Sequence, residues 1–305
     1  MSYVFKTYSE DLLKKQVELI WEVGDNWKYP FLTSLEALTK KYTMDNFDPS
    51  TRFYAIDKET EQLIGYITSE IKQHNENEIS AALRFPMVRN ENFEIADKLY
   101  ELAENRLMEL GASKISAIAG EGMGNTMELA NRYKYQQSSS VGKRAAISVD
   151  ALQISGNTEN VEKYNDSMEN DVNNLFAFKI GLPEEKGKIF LQSLLKEKQR
   201  KENISKSRVS WQVYRENDEI DGLGIIHRSD RNPSNSVLQP IFFAKGVNIA
   251  MIIDRLLSSL ISDLKPEGLK NIQTYISPPA YPFEPIYNSF GIEFDETYWM
   301  KKDLN

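Results

Sequence analysis

The sequence predicts a tandem α/β architecture: two domains in succession, each a mixed, mostly antiparallel sheet flanked by helices. Three observations carry this expectation. A chain of 305 residues exceeds one ordinary compact domain and suits two of about 150 each. Its 41% hydrophobic and 27% charged residues are the composition of a chain that buries a core. The same order of elements also recurs at a spacing of about 155 residues.

Each repeat opens with a hairpin. Residues 53–65 alternate apolar positions, pass through the polar turn 57–61 and return; residues 210–222 do the same around 214–218. The interval from Ile56 to Gly65 equals that from Val213 to Gly222. Next come a strand end, a short polar or glycine-bearing loop and a helix start, with Pro86 as far from Ile95 as Pro240 is from Ile249. Apolar stripes then run through Ile95, Leu99, Leu102, Ala103, Leu107 and Leu110, and through Ile249, Ile252, Ile253, Leu256, Leu257, Leu260 and Leu264. Steps of three and four predict two long amphipathic helices, ended by Gly111 and Gly268. Strands 115–119 and 272–276 follow. A short helix leads to Tyr133-Lys134-Tyr135 in one half and to Phe290-Gly291-Ile292 in the other. Alternating residues 145–154 and 292–304 close the halves.

The expected organisation is therefore a first domain over 1–154, a linker over 155–174 and a second domain over 175–305. The linker segment is rich in Asn, Glu and Ser. Its alternative reading is a short helix with Val161, Tyr164, Met168 and Val172 on one face. A basic run at 196–201 continues a helix that starts near Glu184 and reads as a solvated face.

Composition excludes several chemistries. With no cysteine there is no disulfide, no cysteine nucleophile and no thiolate metal site. Two histidines, His74 and His227, cannot build a multi-histidine metal centre. A net charge of −8 disfavours general nucleic-acid binding. Every apolar run is much shorter than the roughly 20 residues a membrane helix needs, and the start of the chain has no secretory pattern; the expected location is the cytoplasm.

Chemistry is best placed at the loop before each long helix. A helix N-terminus offers unpaired N–H groups and a positive dipole end, which suit phosphate. In the second half this loop runs Lys245-Gly246-Val247-Asn248-Ile249-Ala250: a cation, a glycine that lets backbone approach closely, and a helix start. Here the chain resembles the GCN5-related N-acetyltransferase (GNAT) superfamily, whose pyrophosphate loop reads Arg/Gln-x-x-Gly-x-Gly/Ala. Lys245 stands for the arginine and Asn248 for a glycine. Ile286-Tyr287-Asn288-Ser289-Phe290-Gly291-Ile292 is similar to a further segment of that family, and a closing strand with Tyr298 and Trp299 follows. The resemblance covers about 130 residues in each half.

It implies two tandem GNAT-like domains and an acetyltransferase using acetyl-CoA as co-substrate, without a metal, on a primary amine of a small molecule. The pyrophosphate would sit on Lys245, Gly246, Val247, Asn248, Ile249 and Ala250, and the pantetheine arm beside Pro240, Ile241 and Phe242. Tyr287, four residues before Gly291, would protonate the departing thiolate. Tyr281 and Phe283, in the proline-fixed segment 278–285, would line the acceptor pocket. Two further candidates come from residue chemistry. His227, at a strand end, titrates near neutrality, and Glu284, just before Tyr287, suits a base acting through water.

The first half departs from the pattern. Its loop, Arg89-Asn90-Glu91-Asn92-Phe93-Glu94, has no glycine and two acids, and Ala130 stands where the second half has Tyr287. It is expected to be a degenerate copy, with Arg89 offsetting part of the acidic charge. Gly120-Glu121-Gly122-Met123-Gly124 follows a strand and precedes a helix, but its glycine spacing is wrong for a dinucleotide fingerprint. Two other functions remain open. One is a GNAT-fold protein that binds CoA or substrate without turnover; the other is an aminoacyl-tRNA-dependent peptidyltransferase on two GNAT-like halves.

Overall fold

A computed structural model describes residues 3–29, 33–75, 78–176, 183–203, 209–228 and 234–304. The chain forms two compact units, and the division is not sequential. Unit 1 comprises Met1–Gly142 and Asp295–Asn305; unit 2 comprises Lys143–Phe294. The expected boundary at residue 154 falls inside unit 2, and the C-terminal strand, expected to close the second half, belongs to unit 1.

Unit 1 runs β1 (Tyr3–Thr7), α1 (Leu12–Gly24), α2 (Leu35–Tyr42), β2 (Arg52–Asp57), β3 (Leu63–Asn75), β4 (Glu78–Val88), α3 (Phe93–Glu109), β5 (Lys114–Gly120), α4 (Thr126–Arg132) and the first part of β6 (Gln136–Ser148). The N-terminal helices α1 and α2 have no counterpart in the sequence-predicted repeat. Ser34 caps α2 by accepting from the Ala37 amide at 3.1 Å, and Lys40 and Lys41 meet the negative end of its dipole. The strand order is β1-β2-β3-β4-β5, and only β4 and β5 run parallel. Helix α3 covers one face, over Ala81, Leu83, Ile115 and Ala117. Helices α1 and α2 cover the other, over Tyr54, Ile56 and Tyr66.

Unit 2 contains the rest of β6, then β7 (Val161–Lys163), α5 (Glu169–Asn174), α6 (Glu184–Asn203), β8 (Val209–Glu216), β9 (Glu219–Arg228), β10 (Asn235–Leu238), β11 (Phe242–Phe243), α7 (Ile249–Leu264), β12 (Asn271–Ile276) and α8 (Glu284–Ser289). The final strand, β13 (Asp295–Asp303), returns to unit 1 and pairs antiparallel with β5. In unit 2 β10 and β12 run parallel, and the order continues β10-β9-β8-β7. Helix α7 packs on Gly222 and Gly224, with Leu256 and Leu260 over the bare backbone. Trp211, Val213, Leu223 and Ile225 fill the opposite face. Residues 155–174, expected as a linker, supply β7 and α5, and bury Tyr164, Met168 and Val172.

The two closing strands explain the non-sequential division. Residues 143–148 of β6 pair with β12 in the way β13 pairs with β5: Ala145 lies opposite Thr274, Met300 lies opposite Ala117, and both are buried. Each unit thus takes a strand that the sequence order assigns to the other half. The short-helix turns match as the spacing predicts. The Tyr135 amide donates to the Ala130 carbonyl (2.9 Å) and the Ile292 amide to the Tyr287 carbonyl (3.2 Å), which makes Ala130 and Tyr287 equivalent positions. The long-helix starts match less well. Ile95 is third in α3 and Ile249 first in α7, so equal spacing from the two prolines does not mean equal place.

Candidate functional site

In each unit two parallel strands pair and then part. In unit 2, β10 pairs with β12 from Asn235 to Leu238; beyond that, β11 turns to β9, pairing Phe242 with Leu223. This leaves Pro240 and Ile241 at the split. The loop 245–248 leads from β11 to α7. Gly246 has φ +80°, and nothing lies within 4 Å of a Cβ built there, so the backbone is open to an approaching group. The first turn of α7 carries no acid. Asn248 caps the helix by accepting from the Met251 amide (3.2 Å), which takes up one N–H and leaves others for an anion. By charge, space and backbone, residues 245–250 fit a phosphate group.

Across the split stands α8. Tyr287 is buried at 3% exposure, and its hydroxyl accepts from the Ile241 amide at 3.3 Å. Burial pushes its pKa up to about 12, against the lowering effect of that amide, so the phenol is protonated at neutral pH. Phe283 meets Phe243 edge-on, with ring centroids 4.8 Å apart, across the same opening. Glu284 does not stand free: Lys143 donates to its carboxylate at 2.7 Å and lies 5.0 Å from the centre of the Tyr281 ring. The structure therefore brings Tyr287 to Ile241, Phe283 to Phe243, and Glu284 to Lys143 and Tyr281. His227 is placed elsewhere. It pairs in register with Val237, ahead of the split, and strand alternation turns it to the face of Leu223 and Ile225, opposite Tyr287. The His74 side chain lies outside the described residues.

In unit 1, β4 and β5 pair from Ser80 to Ala82 and then part. A cavity of about 520 Å³ opens at the parted end, between Val88, Arg89 and Asn90 on one side and Gly122 and Gly124 on the other. The loop after α1 completes it with Asn26, Trp27 and Lys28. The glycines of 120–124 serve packing. A Cβ at Gly124 would lie 2.1 Å from the Trp27 ring, and one at Gly122 would lie 2.7 Å from that of Tyr29. The Tyr29 amide donates to the Gly122 carbonyl (3.0 Å), and Lys28 and the Tyr29 hydroxyl both donate to Asp295 at 2.6 Å. Arg89 is engaged by Glu22 (2.7 Å) and Gln62 (2.9 Å). Glu94 stands in the first turn of α3, whose cap is Asn92; the Glu91 side chain lies outside the described residues. This helix start opposes an anion where that of α7 does not.

Sequence reasoning passed over Trp27, Lys28 and Lys143. The available signal for the first two was the apolar face of α1 ending at Gly24, followed by an aromatic pair. Lys143 carried no local signal, because its partners lie about 140 residues away.

The architecture matches solved proteins along nearly its whole length. A tandem GNAT protein from the clavulanic acid biosynthesis pathway superposes with a TM-score of 0.65 at 10% identity, over 99% of this chain and 98% of that one. A GNAT-family acetyltransferase from Colwellia psychrerythraea gives 0.64 at 12% identity, over 98% and 100%. A GCN5-related N-acetyltransferase from Sphaerobacter thermophilus gives 0.57 at 11% identity, over 99% and 95%. No protein-family model and no curated relative matches the sequence. At such identities the likeness defines the fold: two GNAT folds in tandem, as the sequence resemblance implied.

Proposed function

We propose that the protein is an acyl-CoA-dependent acyltransferase, that acetyl-CoA is its donor, and that it acetylates a primary amine of a small molecule by direct transfer in unit 2. The observation that carries this reading is a coincidence in one place. The parallel strands part after Leu238, at the foot of an acid-free helix start where Gly246 leaves its backbone uncovered. Acyl-CoA, when bound, supplies the activated thioester. Lys245 and the N–H groups of 245–250 hold its pyrophosphate; Pro240, Ile241 and Phe242 offer backbone to its arm.

Tyr287 accepts from the Ile241 amide and so keeps its own proton available to a sulfur that gains charge. Glu284, tied to Lys143, fits the acceptor wall with Tyr281 and Phe283, where a carboxylate attracts an ammonium. Among the described residues no helix is long and apolar enough to cross a membrane, which fits the cytoplasmic setting we assign.

One observation favours the reading without turnover: the Tyr287–Ile241 bond and the Phe243–Phe283 contact already span the opening. Calorimetric titration with acetyl-CoA, paired with thiol release over a panel of amines, separates the two. Binding with amine-dependent thiol release is expected; binding without release from any amine selects the second reading. The loop assignment has its own test. Asn and Asp both tolerate a left-handed backbone and differ by one charge. Gly246→Asp is expected to bind acetyl-CoA at least about tenfold more weakly than Gly246→Asn. Equal affinities move the phosphate site away from residue 246.

A further inference from the structure

The face of unit 1's sheet opposite α3 carries an unassigned basic cavity. Strand alternation places Ala81, Ile115, Ala117 and Met300 under α3 and turns Ser80, Ser116, Trp299 and Lys301 the other way. These residues border a cavity of about 960 Å³, within the size range of small-molecule sites. It lies at the paired ends of β4 and β5, away from the parted ends that form the cleft.

Five lysines line it (72, 114, 134, 301 and 302) against one acid, Asp303, in a chain of net charge −8. Two are paired elsewhere: Lys72 meets Glu70 at 2.7 Å, and Lys302 turns to Glu104 of α3 at 2.5 Å. Lys114 stands opposite Asp303 in register. Lys134 and Lys301 make no ion pair among the described residues. Trp299, 38% exposed, lies on the same face and is the exposed member of the four tryptophans.

The duplicated fold supplies an internal control. In unit 2 the positions equivalent to Ser80, Lys114, Ser116 and Lys301 hold Asn235, Asn271, Gln273 and Ala146. That surface has lost both lysines, and Arg144 stands in the place of Trp299. The turn differs as well: Lys134 holds φ +61° where unit 2 uses Gly291 at +81°. A lysine there costs backbone strain that glycine avoids, so its ammonium is the feature the position adds. The lysines and the indole therefore belong to this copy and not to the fold.

We propose that this cavity is a second ligand site, separate from both clefts, for a small polyanion that carries a flat ring, of which a phosphorylated nucleoside is the simplest member. Lys134 and Lys301 supply the point charges for phosphate, and the Trp299 indole supplies a stacking surface.

The test uses the full chain, with ATP and inorganic tripolyphosphate as probes, read by calorimetry and tryptophan fluorescence. ATP is expected to quench fluorescence saturably and to bind more weakly as salt rises from 50 to 200 mM. Lys134→Gly combined with Lys301→Gln is expected to weaken ATP at least about tenfold, while the thermal midpoint holds or rises because the turn is relieved. Trp299→Phe is expected to remove most of the quenching and to bring ATP toward the weaker affinity of tripolyphosphate. No binding at millimolar ATP, or ATP affinity unchanged in the double lysine variant, overturns the site. Equal affinity for ATP and tripolyphosphate in the unmodified chain overturns the ring recognition.

Discussion

Unit 1 and unit 2 share an order of elements and differ at the positions where chemistry would occur. Gly65 and Gly222 both let a long helix press on a central strand, and Gly111 and Gly268 both take a left-handed turn after that helix. These positions are the same in the two copies because backbone geometry requires them. Elsewhere the copies diverge. Unit 2 has an acid-free helix start and Tyr287; unit 1 has Glu94 at its helix start and Ala130 in the place of Tyr287. Unit 1 instead has an open cavity walled by Trp27 and a basic sheet face. A duplicated fold thus separates what the scaffold needs from what a site needs: the first set repeats and the second does not.

The sharpest way to break this comparison is at the Ala130–Tyr287 pair. Tyr287→Phe keeps the ring in its pocket and removes only the hydroxyl. Turnover is expected to fall by about a hundredfold with acetyl-CoA affinity little changed, as for loss of a general acid. The converse change, Ala130→Tyr, is expected to create no activity in a chain that already carries Tyr287→Phe, because unit 1 lacks the acid-free helix start. Steady-state thiol release measures both. Unchanged turnover in Tyr287→Phe would remove the acid role, and recovered turnover in the double variant would move the reaction to unit 1.

A smaller effect compares the two scaffold glycines. A Cβ at Gly222 would lie 2.7 Å from Ile252 Cγ2, a branch atom that cannot swing aside; at Gly65 the nearest atom is Val88 Cγ2 at 3.0 Å. Overpacking of this kind costs about 1–3 kcal/mol, while replacing glycine in a strand returns about 0.5–1 kcal/mol by reducing freedom in the unfolded chain. Gly222→Ala is therefore expected to destabilise by about 2 kcal/mol and Gly65→Ala by less than about 1 kcal/mol. Denaturant unfolding of both variants checks the order. A reversed order would show that the site at Gly65, not that at Gly222, is the tighter one.

The sequence made the hairpins, both long helices, their terminal glycines and the Ala130–Tyr287 equivalence legible, because each rests on local periodicity or on a turn that only certain residues adopt. Three things lay beyond it. The closing strands 143–148 and 295–303 alternate like any strand, and nothing in alternation names a distant partner, so they read as ends of their own halves. The segment 155–174 buries Tyr164, Met168 and Val172 among Asn and Glu residues whose composition suggests a solvated linker. The glycines at 120–124 imitate a phosphate motif, but what they admit is the Trp27 and Tyr29 rings, from a loop nearly a hundred residues earlier. For the site, the loop 245–250 was legible as a helix start, while the partners of Tyr287 and Glu284 were not, since both bonds join separate elements.

The smallest expected effect tests the contacts of the loop after α1 with Asp295. In unit 1, burial tends to raise the pKa of Asp295, but the hydrogen bonds from Lys28 and Tyr29 and the Lys28 charge outweigh it and hold the carboxyl below its ordinary range. A carboxyl with a depressed folded pKa contributes stability that is complete above its unfolded value of about 3.9 and is lost as pH falls through the folded value. Asp295→Asn removes the charge and keeps the shape. The variant is expected to be less stable than the parent by about 1 kcal/mol at pH 7, and the gap is expected to close as the pH is lowered below about 4. Thermal unfolding of parent and variant from pH 7 to pH 3 decides the matter: no gap, or a gap that stays constant over that range, would mean that the Lys28 and Tyr29 bonds add nothing through the Asp295 charge.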